Sequence, residues 1–125
     1  MTALRSVRGR MAHYSGAAAE EQIARDYQRR GLSIAKSRWR GPCGEIDLIT
    51  RDGDEVIFVE VKKARTFDEA AQRLGSRQAA RIYQSAEAFL AGEPKGSLTS
   101  VRFDVALVDG QGQFRIIENA FDFAA

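Results

Sequence analysis

The stretch GEIDLITRDGDEVIFVEVK, residues 44–62, predicts two β-strands joined by a tight turn. Residues 45–51 and 55–62 are rich in isoleucine, valine and phenylalanine, which favour a pleated, partly buried strand. Between them stands Asp52-Gly53, a dipeptide that is typical of a two-residue hairpin loop. We therefore expect the two strands to pair antiparallel.

The pairing of these strands brings acidic and basic side chains together. With Asp52-Gly53 as the loop, Glu45 faces Glu60, and Asp47 is the diagonal neighbour of Glu60. A side-chain period of two then places four residues on one face of the sheet: Glu45, Asp47, Glu60 and Lys62. A three-residue loop would shift the register by one residue and turn Asp47 to the other face.

The residue types on this face favour phosphodiester hydrolysis. Neighbouring carboxylates repel one another unless a cation lies between them, and oxygen ligands prefer hard ions such as Mg²⁺ or Mn²⁺. Lys62 would orient the attacking water or stabilise negative charge in the transition state. The structural alternative is an exposed sheet face on which Glu60 and Lys62 form a surface ion pair, worth less than about 1 kcal/mol.

The segments around the hairpin complete an α/β pattern. Two helices are predicted, at residues 15–30, ended by Gly31, and at residues 76–91. Three further strands are predicted, at residues 32–38, 101–108 and 114–118. The order is αβββαββ, a mixed sheet covered by helices. We expect residues 1–15 to form a basic flexible arm and residues 16–125 to form a single domain.

One carboxylate of the first predicted helix is out of place. Glu20 shares a helix face with Ile23, Ala24 and Tyr27, so it points toward the core. A carboxylate on the inner side of a helix is costly unless something pairs with it. A bound cation would therefore explain Glu20 as well as the carboxylates on the strands.

Several motifs in the same order resemble the bacterial YraN family of predicted nucleases. They are GEIDLI at 44–49, FVEVK at 58–62, Gly16, Glu20 and Ala24 in the first helix, Arg77-Gln78, RFDV at 102–105 and NAF at 119–121. The likeness covers about residues 16–121. This chain departs from the pattern at Arg38, where many relatives have asparagine, and at Ala64, where a basic residue is usual.

The resemblance implies both a fold and a set of functional residues. The YraN family is distantly similar to archaeal Holliday-junction resolvases and to the restriction-endonuclease-like superfamily, so a restriction-endonuclease-like core is expected. Asp47, Glu60 and Lys62 match the metal-binding and catalytic triplet of that superfamily. Glu20 matches the helix glutamate of resolvase-type members, and Glu45 belongs to the family motif as a further candidate ligand.

The distribution of charge suits a nucleic-acid partner. Residues 1–40 contain nine Lys/Arg and three Asp/Glu, whereas the whole chain has a net charge of only +2. Candidate phosphate contacts are Arg73, Arg77 and Arg81, spaced four residues apart, together with Lys63, Arg65, Arg38 and Arg40. A solvated helix face and a solvated arm are the structural alternatives. Trp39 is expected to pack in the core or to make a contact at its rim, rather than to stack on unpaired bases.

Composition narrows the class of protein. The single cysteine, Cys43, excludes an internal disulfide and a zinc site of several cysteines. We expect neither a membrane-spanning helix nor a secretion signal, because no long apolar run is present, and hence a cytoplasmic protein.

These observations together predict a Mg²⁺- or Mn²⁺-dependent endonuclease acting on DNA. Branched or single-stranded repair and recombination intermediates are its expected substrates, and symmetrical cutting of two strands would favour a homodimer. One alternative is a non-catalytic nucleic-acid-binding module on the same fold. Another is an interaction protein with an exposed apolar patch around Phe121 and Phe123.

Overall fold

A central sheet with helices on both faces organises the chain. The computed structural model describes the backbone of residues 2–120 and the side chains of residues 16–120 except residue 76. The elements are α1 (Thr2–Arg29), β1 (Ser33–Gly41), β2 (Gly44–Asp52), β3 (Glu55–Lys63), α2 (Phe67–Gln72), α3 (Ser76–Leu90), a 3₁₀ turn (Gly96–Leu98), β4 (Val101–Val108) and β5 (Phe114–Ile117). The predicted mixed α/β fold is confirmed, and α2 is an addition to the predicted order. No helix in this part of the chain combines the length and the apolar character needed to cross a bilayer.

The five strands form one sheet in the order β1-β2-β3-β4-β5. Strands β1, β2 and β3 are antiparallel neighbours, β3 and β4 run parallel, and β5 returns antiparallel to β4. A parallel pair needs a long crossover connection, which α2 and α3 supply. The sheet is therefore mixed, as predicted, and the β2–β3 hairpin lies inside it rather than at an edge.

The hairpin loop lies one residue further along the chain than predicted. Leu48 pairs with Val59 and Asp52 with Glu55, so the loop is Gly53-Asp54 and not Asp52-Gly53. Gly53 has a φ of +59° and takes the first loop position, where a type II′ turn needs positive φ. The predicted register is therefore wrong by two residues. A shift of two does not by itself turn any side chain to the other face, and it brings position 47 opposite position 60.

Helix α1 begins at Thr2, well before the predicted start at Ser15-Gly16. The residues before Ser15 include Ala, Leu, Arg and Met and contain no proline, and this composition favours helix. The backbone of residues 2–15, predicted as an arm, is thus helical. The side chains of the arm lie outside the described part of the chain.

Apolar layers cover both faces of the sheet. On one face, Ala19, Ile23 and Tyr27 of α1 pack on Leu48, Ile57, Val59, Ala106 and Val108. On the other, Ile82 and Ala86 of α3 pack on Ile46, Ile49, Val56, Phe58 and Phe103, while Phe67 and Ala70 of α2 cover Val105 and Leu107. Trp39 is partly buried and packs edge-on against Phe89, with ring centroids 5.4 Å apart, at the rim of the second layer.

A buried carboxylate fastens α1 to β4. Asp104 accepts hydrogen bonds from the Tyr27 hydroxyl (2.6 Å), from Nε of Arg102 (2.9 Å) and from the main-chain N–H of Asn119 (3.0 Å). Burial, followed by the hydrogen bond to Asp104, raises the pKa of the Tyr27 hydroxyl above its ordinary value. Tyr27 therefore stays protonated as the donor to Asp104.

Replacement of Tyr27 by phenylalanine tests this connection. Tyr27→Phe should lower the free energy of unfolding by about 1–3 kcal/mol, because the buried Asp104 carboxylate loses a donor while the ring still packs. Chemical denaturation measures the change. Ser97→Ala removes an exposed hydroxyl and should alter the free energy by less than about 0.5 kcal/mol. An equally small effect of Tyr27→Phe would contradict the role given to this bond.

Candidate functional site

Main-chain pairing between β2 and β3 stops just where the predicted site residues begin. The last regular pair on this side of the hairpin is Leu48 with Val59. Beyond it, the main-chain N–H of Asp47 donates to Oε1 of Glu60 (3.3 Å), and the N–H of Val61 donates to Oδ2 of Asp47 (2.8 Å). Each carboxylate thus binds a main-chain N–H of the opposite strand. We call this part of the sheet, Asp47 with Glu60, the fork.

The side-chain alternation of β2 is interrupted at Asp47. Leu48 packs in the layer beneath α1, whereas Ile46 and Ile49 both pack in the layer beneath α3. With a strict period of two, Ile46 would share the face of Leu48. The interruption allows Asp47 and its neighbours to reach clefts on both sides of the sheet.

Two clefts adjoin the fork. A cleft of about 330 Å³ on the α1 side is lined by Glu20, Arg38 and Asp47. A larger one, of about 510 Å³, lies on the α3 side and is lined by Glu45 and Gln78. Three predicted site residues are therefore divided between two clefts instead of sharing one open face: Glu20 and Asp47 line the α1-side cleft, and Glu45 lines the other.

Burial raises the pKa values of both fork carboxylates, and neighbouring negative charges add to the effect. Glu60 is 4% exposed. Its burial, followed by the charge of Asp47, raises the pKa of Glu60 from 4.5 to about 8, against the opposing effect of Lys62. Burial also raises the pKa of Asp47, although the hydrogen bond from Val61 lowers it. The pair carries less negative charge at neutral pH than two free carboxylates would, because neither is fully solvated.

Glu20 reaches the α1-side cleft from its helix, as predicted, and is paired there with Arg38. Nε of Arg38 donates to Oε2 of Glu20 over 2.7 Å. That ion pair, with smaller contributions from Glu45 and Asp47, raises the pKa of the Arg38 guanidinium. Arg38 has a φ of +50°, a left-handed conformation that residues other than glycine seldom adopt.

Lys62 lies two residues beyond Glu60 on β3 and is half-buried. Within the described part of the chain, its ammonium group forms no hydrogen bond and no ion pair, with Glu60 or with any other group. Glu60 itself is buried rather than solvated. The alternative of an exposed sheet face with a Glu60–Lys62 surface ion pair is therefore not what the structure shows.

The four candidate metal ligands do not form one cluster. Among residues 16–120, side chain 76 apart, no three Asp, Glu, His or Cys side chains are arranged so that they could hold a metal ion. Asp47 and Glu60 meet at the fork, whereas Glu20 is engaged by Arg38 and Glu45 lines the other cleft. The fork is the part of the predicted ligand set that the fold assembles.

The predicted arginine row is not on one helix, yet its members share a cleft. Arg73 ends α2, and Arg77 and Arg81 lie in α3, because Leu74 and Gly75 interrupt the helical backbone between them. All three line the α3-side cleft. Nη1 of Arg73 donates to the carbonyl of Lys63 (3.1 Å), which fixes this arginine at the end of β3.

Two of the remaining predicted phosphate contacts lie at the surface, whereas Lys63 is half-buried at the end of β3. Arg65 is 88% exposed and pairs with Glu69 on α2. Arg40 is exposed on β1, opposite Glu45 in the β1–β2 register. The structure places neither of them in the two clefts, so the basic lining near the fork consists of the three arginines on one side and Arg38 on the other.

Two residues of the site have no signal in the sequence that reveals their role. Nε2 of Gln78 donates to Oε2 of Glu60 over 3.4 Å, a contact that the Arg77-Gln78 motif does not indicate.

Ser85 fixes the turn before β2. It is buried, and its hydroxyl donates to the carbonyl of Gly44 (3.0 Å) and accepts from the N–H of Cys43 (3.3 Å). A Cβ at Gly41 would lie 2.6 Å from that of Ser85, so glycine is required there. These contacts fix the turn that precedes Glu45.

The raised pKa of Glu60 predicts a pH-dependent stability in the absence of divalent cations. Glu60 titrates near 4.5 in the unfolded chain and near 8 in the folded one, so the folded state binds more protons between these values. The stabilisation is complete below about pH 4.5 and is lost as the pH rises through about 8. Glu60→Gln should remove this loss. As the pH rises from about 5 to about 9, the melting temperature of the variant should therefore increase relative to that of the wild type.

Thermal unfolding in EDTA across that range measures the effect. Glu87→Gln, an exposed position on α3, is the matched control and should keep the pH profile of the wild type. Parallel profiles for Glu60→Gln and the wild type would mean that Glu60 titrates as a solvated carboxylate in the fold.

Comparison with known proteins places the chain in a family. Residues 19–108 match the uncharacterised protein family UPF0102. This range includes the fork and the strand residues that line the two clefts. A UPF0102 protein of Ruegeria pomeroyi is 59% identical over 121 residues, which are 97% of this chain and 98% of the relative. A UPF0102 protein of Cereibacter sphaeroides (strain ATCC 17029) is 58% identical over 113 residues (90% and 97%), and one of Roseobacter denitrificans is 49% identical over 112 (90% and 87%). The chain belongs to the UPF0102 family.

Proposed function

We propose that this protein is a metal-dependent endonuclease that hydrolyses phosphodiester bonds in DNA. The observation that carries the proposal is the fork: main-chain N–H groups hold the half-buried Asp47 and the buried Glu60 together, and the charge of Lys62 acts on both carboxylates. The motif resemblance to YraN proteins, resolvases and restriction endonucleases supports the same activity and a restriction-endonuclease-like core. It also favours branched or single-stranded repair and recombination intermediates as substrates.

The chemistry of the fork fits a hard divalent cation, Mg²⁺ or Mn²⁺. Asp47 and Glu60 offer only oxygen atoms, and Mg²⁺ is commonly held by one or two carboxylates together with water and substrate phosphate. Oδ2 of Asp47 and Oε1 of Glu60 each accept one main-chain N–H, and a carboxylate oxygen has a second lone pair that can bind a cation. When bound, the cation would supply Lewis-acid polarisation of the phosphate and a water of lowered pKa.

The protein's own groups have distinct tasks in this proposal. Asp47 and Glu60 would hold the cation, and the N–H of Val61 and the amide of Gln78 keep the two carboxylates oriented before substrate arrives. Nζ of Lys62 would stabilise the charge that develops on the phosphate or hold the attacking water. Burial of the fork strengthens each of these electrostatic interactions.

The larger cleft supports a polyanionic substrate. Arg77 and Arg81 are exposed along one side of α3 and line this cleft together with Arg73, next to Glu45 and Gln78. Guanidinium groups bind phosphate oxygens through paired N–H donors. A DNA backbone in this cleft would pass close to Glu60, to which Gln78 is bonded.

A non-catalytic nucleic-acid-binding module is the second candidate. It is favoured by the ion pair between Arg38 and Glu20, and by the lack of a three-ligand group within residues 16–120, residue 76 apart. Such a module would use the arginine-lined cleft without needing the fork. The interaction surface expected around Phe121 and Phe123 lies outside the described residues.

Cleavage assays on branched and linear DNA with Mg²⁺ or Mn²⁺ distinguish the two candidates. Asp47→Asn and Glu60→Gln should abolish cleavage, and Lys62→Met should slow it by about 100-fold or more while DNA binding persists. Glu87→Gln is the control and should cut like the wild type. Cleavage that survives both carboxylate substitutions would rule out the fork as the active site. Binding without cleavage under every condition would favour the module.

The salt dependence of DNA binding tests the arginine-lined cleft. In EDTA, Arg77→Gln should weaken binding to every DNA and lower the slope of log affinity against log salt by about one, because one phosphate contact is lost. Fluorescence anisotropy over a salt series measures the slope. Arg25→Gln removes an equal charge from the exposed face of α1 and should leave the slope unchanged. The same loss in both variants would indicate a diffuse charge effect rather than a binding cleft.

A further inference from the structure

Arg38 occupies a position at which a positive charge meets the acidic groups of the candidate site. The pairs Ser37–Leu48 and Trp39–Ile46 flank it, so the β1–β2 register places Arg38 opposite Asp47. Its guanidinium bonds Glu20 across the α1-side cleft, which Asp47 also lines. An arginine on β1 thus neutralises the helix carboxylate that lies nearest to the fork.

The backbone of Arg38 adopts an unfavourable conformation in this arrangement. A φ of +50° is unfavourable for a side chain with a Cβ, and asparagine or glycine would adopt it with less strain. The neighbouring pairs on both sides hold the strand in place, so the conformation is imposed by the sheet. The ion pair with Glu20 is the contact that this conformation provides.

The Arg38–Glu20 pair is nevertheless accessible. The side chain of Arg38 is 55% exposed and that of Glu20 is 24% exposed, so the guanidinium can leave without opening the apolar layers. A divalent cation at the fork would meet the charge of Arg38 close by, and would compete with it for the Glu20 carboxylate. Cation and guanidinium are therefore alternative partners of one acidic group.

We propose that Arg38 is an exchangeable counter-ion of the candidate site. It holds Glu20 while the protein is free of divalent cation, and it is displaced when a cation at the fork recruits Glu20 as an additional ligand. The released guanidinium then faces the α1-side cleft, where its planar donors suit a substrate phosphate. This inference rests on the proposed function, since it assumes a cation at Asp47 and Glu60. Arg38 is a positioning residue in this scheme, acting through Glu20.

Binding of Mn²⁺ to the whole chain without nucleic acid tests the proposal, with the free-ion EPR signal as the readout. Arg38→Asn and Arg38→Gln should each tighten Mn²⁺ binding by about three- to ten-fold, because Glu20 becomes free for the cation. Asparagine also tolerates positive φ, so Arg38→Asn should fold normally, which circular dichroism checks. Lys36→Gln is the matched control, since it removes one exposed charge from the same strand, and it should leave the affinity unchanged.

A double-mutant cycle separates competition for Glu20 from a general charge effect. In a Glu20→Gln background, Arg38→Asn should no longer tighten Mn²⁺ binding, because the shared carboxylate is gone. A gain that persists there, an equal gain from Lys36→Gln, or unchanged affinity of both Arg38 variants would overturn the proposal. Absence of Mn²⁺ binding from the wild type and both Arg38 variants would overturn it as well. Binding by the Arg38 variants alone would support it.

The outcome is distinguishable from failure of the proposed function. Mn²⁺ binding that depends on Arg38 and Glu20 as expected, without cleavage of any DNA, would contradict the proposed nuclease activity and support the counter-ion role. Conversely, cation-dependent cleavage that is lost in Asp47→Asn, with Mn²⁺ affinity indifferent to Arg38, would keep the nuclease and remove this role.

Discussion

Two carboxylates take over the hydrogen bonds of the main chain at the fork, and the candidate site depends on that exchange. Buried N–H groups need acceptors, so the N–H of Val61 holds Asp47 in place, and the N–H of Asp47 holds Glu60. Neither carboxylate can turn to solvent without leaving a donor unpaired. The electrostatic repulsion between them is therefore built into the fold, and it is tolerated because apolar layers on both faces stabilise the sheet around it.

Much of the fold could be predicted from local signals. The hairpin strands, α3 and the outer strands follow from periodicity and from strand-forming residues, and the mixed α/β fold is confirmed. The loop was misplaced because Asp52-Gly53 and Gly53-Asp54 are both plausible dipeptides. Gly53 has a positive φ in either loop, and the two differ at Asp52, which does not take the positive φ that a type I′ turn at Asp52-Gly53 requires. Helix α2 was missed because six residues are too few to show a period. Its N-cap has a sequence signal nevertheless, a threonine followed three residues later by glutamate. In the structure, the Thr66 hydroxyl accepts a hydrogen bond from the main-chain N–H of Glu69.

The candidate site was predictable where it follows from pairing, and not where it follows from irregular backbone. A register error of two residues preserves the face of each side chain, so Asp47 and Glu60 were correctly expected to be neighbours. Glu20 lines the same cleft as Asp47. The division into two clefts depends on the interruption at Asp47 and on the left-handed Arg38, and no residue pattern reports either of them.

The bond between Tyr27 and Asp104 has a consequence at the other end of the sheet. Glu20 and Tyr27 are seven residues apart on α1, which is close to two full turns, so they project from nearly the same side of the helix. Anchoring the Tyr27 hydroxyl on β4 therefore fixes the rotational phase of α1, and with it the direction in which Glu20 projects. Loss of this anchor would let the helix roll about its axis. The strands of the fork and the acidic group above them would then lose their alignment, although no residue near the fork had changed.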